Sequence, residues 1–169
     1  PIVLFTDDDV RIPADWLAGM TQMFSDQDTH IVQGHIVLAE SIVLPWMEWV
    51  HRAGLAEFID DESKTVIGAN FGFRRTAWEK VGGFDPRFGS GTPIGFGDDT
   101  LFEHQVRRQF GDVAIYLGAP IVHHPDTSRL SRENLLKRTQ LGAIAELWIA
   151  AALRAQNPQG FGTSHWFLQ

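Results

Sequence analysis

Three short groups of acidic or imidazole side chains stand out in the sequence. They are Asp7-Asp8-Asp9, Asp98-Asp99 and His123-His124. Adjacent carboxylates repel one another, and a bound divalent cation relieves that repulsion. Oxygen ligands of this kind suit Mg²⁺ or Mn²⁺, which often also hold the phosphates of a substrate. The first group therefore predicts a metal site, although taken alone it is equally typical of an acidic turn that caps the next helix.

The first group follows a short apolar run, Ile2 to Phe5, which is rich in residues that favour β-strands. The run is too short to predict a helix, and its unbroken apolar character predicts a buried, parallel strand. Ligands of open α/β sheets lie beyond the carboxyl ends of the strands. We therefore expect Asp7 and Asp9 to project into a site.

The second group ends a long, glycine-rich segment, residues 84–97, and begins a predicted helix. A structureless segment of this length inside a compact domain is typical of a lid or a binding loop. The dipole of the helix favours the ionised forms of Asp98 and Asp99 at its N-terminus, and helix capping alone would also account for them. The third group, His123-His124, comes after a strand predicted over 113–117.

The rest of the chain alternates predicted strands and helices. Strands are predicted over 30–38 and 65–73, and helices over 14–24, 46–58, 74–81, from 98 and from 131, with a charged loop at 60–64. This order indicates an α/β domain with a mostly parallel mixed sheet and flanking helices. We expect one domain over residues 1–156 and a tail over 157–169. Trp46 and Trp49 form an apolar side of one helix, which favours the core over a membrane surface as their surroundings.

The composition excludes several kinds of function. The 169 residues carry 14 basic and 21 acidic side chains, and the net charge of -7 argues against broad binding of nucleic-acid backbones. The absence of cysteine excludes disulfides, zinc–thiolate sites and a thiol nucleophile. No apolar run is long enough to predict a transmembrane helix. Because the chain opens inside a predicted strand without an initiator Met, we expect it to be a piece of a longer protein.

The order of these groups resembles that of the motifs of inverting family 2 glycosyltransferases, which have the A-type nucleotide-sugar fold. The segment 3–10 is similar to the strand that ends in the family's Asp-x-Asp motif. Residues 68–75, followed by 81–85, resemble its acceptor-side segment. Residues 89–93, followed by 97–100, resemble its glycine loop and the acidic pair usually written Glu-Asp, whose first member is the shorter Asp98 here.

The last resemblance concerns residues 122–125 and Arg129, which look like the family's late histidine and the arginine five residues after it. That spacing selects His124 over His123. The resemblance covers about residues 1–140 and implies a partial A-type, Rossmann-like domain. The family's first βαβ half, which holds the nucleotide base and ribose, has no counterpart in this sequence.

The resemblance implies a metal-dependent, inverting transfer of a sugar from a nucleotide-diphosphate sugar to a hydroxyl of a glycan, a cell-envelope polysaccharide or a lipid-linked acceptor. Asp99 would be the general base. Asp7, Asp9 and His124 would hold Mn²⁺ or Mg²⁺, with Asp9 as a direct ligand. The substrate-binding residues would be Asp8, Gly68, Asn70, Gly91, Thr92, Asp98 and Arg129. The resemblance also implies a cytoplasmic location, with the inner face of a membrane as one place of action.

Two other interpretations stay open. Asp7, Asp9, His123 and His124 around one or two ions would suit a metal-dependent phosphoesterase. That reaction leaves Asp98-Asp99 and the glycine loop without a role. Because the nucleotide-binding half is absent, the chain would alternatively be an inactive folding unit or a binding module.

Overall fold

The computed structural model describes residues 1–59 and 65–156. The predicted loop at 60–64 and the predicted tail at 157–169 therefore lie outside the described residues. The strands are β1 (Ile2–Thr6), β2 (Val10–Arg11), β3 (Ile31–Leu38), β4 (Asn70–Arg74) and β5 (Ala114–His123). The α-helices are α1 (Trp16–Gln22), α2 (Trp49–Ala53), α3 (Arg75–Val81), α4 (Asp98–Phe110) and α5 (Arg132–Gln156), with 3₁₀ turns at Met23–Ser25 and Thr127–Leu130.

The five described strands form one mixed sheet in the order β1-β4-β3-β5-β2. This confirms the predicted α/β class with flanking helices. The prediction of a mostly parallel sheet is wrong, because β3–β5 is parallel while β1–β4, β3–β4 and β2–β5 are antiparallel. The chain between β3 and β4 returns to the end of the sheet where β3 finishes, so β4 enters in the opposite direction.

The first strand also differs from its prediction. β1 is an edge strand that pairs with β4 alone, antiparallel, with Thr6 opposite Asn70. Ile2 and Phe5 stay 36% and 38% exposed. An apolar run therefore does not by itself distinguish a buried central strand from a half-exposed edge strand, since the neighbours that cover it come from elsewhere in the chain.

Apolar side chains cover both faces of the sheet. On one face α1 packs Trp16 and Met20 against β3. On the other face α4 packs Phe102 and Val106 against β3 and β4. Truncation of a fully buried phenylalanine such as Phe102 to alanine costs roughly 3–5 kcal/mol. The core thus fixes α4, and with it the acidic pair at the start of this helix.

The tryptophan-rich stretch is not part of the core. The predicted helix over 46–58 is reduced to α2, five residues long, and the chain then turns through Ala56 at a φ of 67°. Trp46 is 51% exposed and Trp49 is 79% exposed. The core interpretation of these two side chains is therefore wrong. None of the described helices is both long and apolar enough to cross a membrane.

Candidate active site

Most of the predicted site residues lie at one end of the sheet, where three of its strands finish. β1, β3 and β5 run in the same direction, because β4 is antiparallel to both β1 and β3 and β5 is parallel to β3. Their carboxyl ends therefore lie at the same end of the sheet, together with the start of β4. Asp7 follows the end of β1 directly, Gly68 lies two residues before β4, and His123 ends β5. β1 and β5 are not adjacent in the sheet. Val10, directly after Asp9, lies opposite His123, so the chain between β1 and β2 brings the carboxylates to the end of β5.

Asp7, Asp9 and His123 form a compact group of donor atoms. One ligand atom from each of the three side chains lies within 4.8 Å of the other two. Asp9 Oδ1 and His123 Nε2 are 3.2 Å apart. The backbone supports this approach, because Val10 lies opposite His123 in the β2–β5 pair and the His124 N–H donates to the Asp9 carbonyl at 2.8 Å.

The tautomer of His123 follows from its other contact. Its Nδ1 lies 2.8 Å from the carbonyl oxygen of Leu55, and a carbonyl can only accept, so Nδ1 carries the proton. In the neutral ring Nε2 then presents a lone pair towards Asp9 Oδ1, and both atoms are buried without a hydrogen-bond partner among the described residues. A histidine that donates one ring N–H to a backbone carbonyl and leaves the other nitrogen free is the usual arrangement of a metal ligand. The donor set therefore fits Mn²⁺ or Mg²⁺.

The electrostatics of Asp7 agree with a site for a cation. Burial raises the pKa of Asp7, and the charges of Asp9 and Asp8 raise it further, while His123 and Arg129 act in the opposite direction. Arg129, which the resemblance predicts to bind substrate, thus lies close enough to the acidic group to affect the Asp7 carboxylate. Asp8 is exposed and is not one of the three grouped donors.

The structure brings His123, rather than His124, to the carboxylates. His123 and Ile121 occupy alternate positions of β5 and are both buried, whereas His124 lies one residue beyond the strand. His124 Nε2 is buried without a hydrogen-bond partner, and this side chain is not among the grouped donors. The motif spacing selects His124, the next residue along, and one residue in extended backbone turns a side chain to the opposite side.

Asp99 lies at the first turn of α4 and binds the chain just before β4. Its Oδ2 accepts from the Gly68 N–H at 2.8 Å, and its Oδ1 accepts from the Thr100 N–H at 2.8 Å. Burial raises the pKa of Asp99, the charge of Asp98 raises it further, and the hydrogen bonds from Thr100 and Gly68 lower it in part. Oδ2 keeps an acceptor position for another donor, because a carboxylate oxygen has two lone pairs.

Two buried side chains that sequence reasoning missed bind the backbone just before Gly68. The Val66 N–H donates to Glu103 Oε2 at 2.9 Å, and the Ile67 N–H donates to Gln33 Oε1 at 2.6 Å. With the Gly68 N–H on Asp99, three consecutive amides are bound by side chains; we call residues 66–68 the anchored segment. Glu103 also pairs with Arg107 at 2.7 Å. Its position four residues after Asp99 was the available signal, since both then share one helix face.

The glycine-rich loop closes against the acidic pair. Gly89 has a φ of 89°, and a Cβ added there would lie 2.8 Å from Asp98 Cγ, so only glycine fits. Thr92 Oγ1 donates to the Gly89 carbonyl at 2.8 Å and accepts from the Gly95 N–H at 3.1 Å. Thr92 thus shapes the loop itself, whereas Gly91 is exposed with open space around it.

Asn70 has an internal role. It is fully buried; its Oδ1 accepts from Trp16 Nε1 at 2.8 Å and its Nδ2 donates to the His35 carbonyl at 2.9 Å. These contacts tie α1 to β3 and β4 and use both ends of the amide. The structure therefore places Asn70 fully buried between α1, β3 and β4.

Comparisons with solved structures show a likeness of fold. No family model matches the chain, and no curated protein matches it. Among solved structures, the chain is similar to the mannosyltransferase PcManGT from Pyrobaculum calidifontis in complex with GDP-Man and Mn²⁺, with 20% identity and a TM-score of 0.50 over 95% of this chain. The chain spans about half, 51%, of that protein. The likeness shows that this chain has an α/β fold similar to that of a glycosyltransferase domain.

Proposed function

We propose that the chain is the catalytic part of a metal-dependent, inverting glycosyltransferase that moves a sugar from a nucleotide-diphosphate sugar to a hydroxyl acceptor. The fold supports this proposal, because the similar solved structure is a mannosyltransferase in complex with GDP-Man and Mn²⁺. The observation that carries it is the grouping of Asp7, Asp9 and His123 beyond the carboxyl ends of β1 and β5, at the end of the sheet where Gly68 binds Asp99 just before β4.

The acidic group supplies the donor side of the reaction. Asp7, Asp9 and His123 would hold a divalent cation, which acts as a Lewis acid on the diphosphate leaving group. Arg129, close enough to influence Asp7, adds a positive charge on the same side. Asp8, exposed between the two ligands, is free to meet the nucleotide part of the donor.

Asp99 supplies the acceptor side. Its free Oδ2 position takes the proton of the acceptor hydroxyl as that oxygen bonds to the anomeric carbon and the bond from this carbon to the diphosphate oxygen breaks. A single base opposite the leaving group gives inversion at the anomeric carbon. The raised pKa of Asp99 favours this role, because a stronger base accepts the proton more readily. Asp98 and the glycine loop border this position.

The test uses the full-length protein with Mn²⁺, a panel of nucleotide-diphosphate sugars that begins with GDP-mannose, and simple glycan or lipid-linked acceptors. We expect a glycoside of inverted anomeric configuration by NMR, and no product after chelation of the metal. Asp99→Asn should lower kcat by at least about a hundredfold while donor binding survives, since general base catalysis is worth at least that much.

Asp112→Asn is the matched control, because Asp112 is exposed beyond the end of α4. Turnover by Asp99→Asn equal to that of the control would remove Asp99 as the base. Hydrolysis of a simple phosphodiester without any sugar transfer would instead favour the phosphoesterase interpretation.

A further inference from the structure

A groove lies beside the candidate active site, between the start of α5 and the turn around α2. Its volume is about 620 Å³. Its apolar walls include Trp46, Leu135 and Leu136, and its polar lining includes His51, Arg132 and Arg138. Among the residues that the structure describes, no Asp or Glu lines this groove. The groove thus combines a hydrocarbon surface with positive charge.

Among residues 1–59 and 65–156, the arginines of the groove have no carboxylate partner. In the described part of the chain, no carboxylate lies within 4.0 Å of the guanidinium of Arg132 or Arg138. Arg138 Nε is buried without an acceptor, and the remaining contact of this guanidinium with a carbonyl, that of Gly54, is long at 3.4 Å. Burial and the neighbouring charge of Arg129 both lower the pKa of Arg138. An anion bound there would offset both the desolvation of the Arg138 guanidinium and its repulsion by Arg129.

The mouth of the groove is apolar and open. Leu136 is 55% exposed, and the half-exposed Trp46 forms part of the wall. Trp49, three residues along the chain, is the most exposed large apolar side chain among those described. Tryptophan beside arginine at an exposed edge is typical of a surface that meets the boundary between lipid and water.

Two neighbouring contacts connect the groove to the two halves of the candidate active site. Gly54 lines it, and the next residue, Leu55, holds His123 of the metal group through its carbonyl. On the other side, the guanidinium of Arg138 lies 5.1 Å from the ring centre of Phe96, two residues before Asp98 in the glycine loop. The groove therefore borders residues that hold the metal group on one side and the glycine loop on the other.

We propose that this groove binds a lipid phosphate, with the phosphate on Arg138 and Arg132 and the hydrocarbon chain along Leu135, Leu136 and Trp46. In the proposed glycosyl transfer, on which this step rests, the occupant is the acceptor, and a sugar attached to the lipid phosphate carries the hydroxyl that Asp99 deprotonates. The inference about binding itself depends on the groove alone.

The test measures binding of decyl phosphate to the full-length protein by titration calorimetry, without donor or metal. Decyl glucoside and inorganic phosphate serve as the neutral and the headgroup-only probes. We expect one decyl phosphate per chain, bound at least about tenfold more tightly than either probe, since a charge-assisted contact contributes about 1.5–3 kcal/mol and 1.4 kcal/mol is tenfold. Equal binding of decyl phosphate and decyl glucoside would overturn the proposal.

Two pairs of matched variants test the residues. Arg138→Gln should weaken decyl phosphate binding about tenfold or more, whereas Arg154→Gln, on an exposed part of the same helix, should not change it. Leu136→Asp should also weaken binding, while Leu147→Asp should not; both leucines are exposed, so both variants should fold. Equal effects within either pair would overturn the proposal.

The binding test and the transfer test fail separately. If the protein transfers sugar to a glycan but does not bind decyl phosphate, the proposal for the groove is overturned while the proposed function stands. If decyl phosphate binds through Arg138 and no sugar transfer is found with any donor, the groove proposal stands for binding and the proposed function falls.

Discussion

A single backbone carbonyl determines the chemistry of His123. Because the Leu55 carbonyl takes the Nδ1 proton, the neutral ring must present Nε2 to Asp9 Oδ1, and neither of these buried atoms has another partner. Two facing acceptors are unfavourable unless a proton or a cation lies between them. The sequence has two adjacent histidines, and the Leu55 contact is what distinguishes His123 from His124.

The first prediction at this scale distinguishes the two histidines. His123→Asn keeps an amide N–H near the Nδ1 position for the Leu55 carbonyl but removes Nε2. We expect it to weaken Mn²⁺ binding at least about tenfold, the lower end of what even the supporting contacts of a metal site are worth. His124→Asn is the matched variant and should bind Mn²⁺ nearly as the natural protein does. Calorimetry or the EPR signal of free Mn²⁺ measures both affinities.

The opposite ranking, with His124→Asn as the more damaging change, would return the metal site to the arrangement that motif spacing implies. Circular dichroism of both variants checks that the buried His123 position tolerates asparagine, because loss of folding would lower affinity for another reason.

The second prediction concerns the pH dependence of turnover. The pKa of Asp99 is raised by burial and by the charge of Asp98, so the acidic limb of kcat/KM should lie above pH 3.8, the ordinary value for aspartate. Asp98→Asn removes one negative neighbour, which lowers the pKa of Asp99. We therefore expect the acidic limb to move to lower pH in this variant.

A profile of kcat/KM against pH for the natural protein and Asp98→Asn measures the shift. An acidic limb that stays in place or moves to higher pH would show that Asp99 does not control this limb. Glu146→Gln serves as the control, because Glu146 is exposed on α5 and does not contribute to the pKa of Asp99.

At the scale of elements, sequence patterns predicted what depends on local preferences. The helix that begins at Asp98 and the helix that ends at Gly82, which adopts the left-handed conformation, were both predicted correctly. The strand over 31–38 was predicted to within one residue. Each of these depends on helical or strand periodicity and on glycine at a helix end, which neighbouring residues determine by themselves.

Features that depend on distant partners were not predicted. The antiparallel entry of β4, the edge position of β1 and the exposure of Trp49 all follow from which segments meet in space. The same holds for Glu103, which looks like an ordinary helical glutamate until the anchored segment comes to lie against it. Motif order indicated three clusters at element ends, but it did not determine which histidine completes the first.

The third prediction tests how α4 positions the chain before β4. Glu103→Gln removes the carboxylate that accepts from the Val66 N–H and pairs with Arg107, and a glutamine oxygen cannot serve both. We expect a loss of about 1–3 kcal/mol in the free energy of unfolding, as for a buried group left without its partner. Amide hydrogen exchange should become faster over the anchored segment in particular.

Glu79→Gln is the control, since Glu79 pairs with Arg75 on the exposed surface of α3 and should change stability by less than about 0.5 kcal/mol. Faster exchange throughout the sheet in Glu103→Gln, rather than at residues 66–68, would show that this glutamate stabilises the whole core and does not anchor one segment.

At the scale of the whole molecule, the acidic segment joins the two edges of the sheet. β1 and β2 are the outermost strands, and Asp7, Asp8 and Asp9 are the residues between them. Their mutual repulsion destabilises the folded state, in addition to the self-repulsion that comes with a net charge of -7. A cation bound by Asp7, Asp9 and His123 would therefore link β1 to β5. It would stabilise the fold in addition to its role in the proposed reaction.

The last prediction follows from this conflict between charge repulsion and metal binding. A raised pKa means that folded Asp7 holds its proton more tightly than the unfolded chain does, so its ionisation costs stability above pH 3.8. Without metal at pH 7, Asp7→Asn should therefore melt about 1–2 °C higher, for a gain of roughly 0.5 kcal/mol at this partly exposed position. With Mn²⁺ at a hundred times its Kd, the natural protein should gain about 2.7 kcal/mol, or roughly 5–10 °C, and Asp7→Asn much less. The order of the two melting temperatures thus reverses on addition of metal. Scanning calorimetry of both proteins with and without Mn²⁺ measures it, and an equal metal-induced shift in both would exclude Asp7 from the metal site.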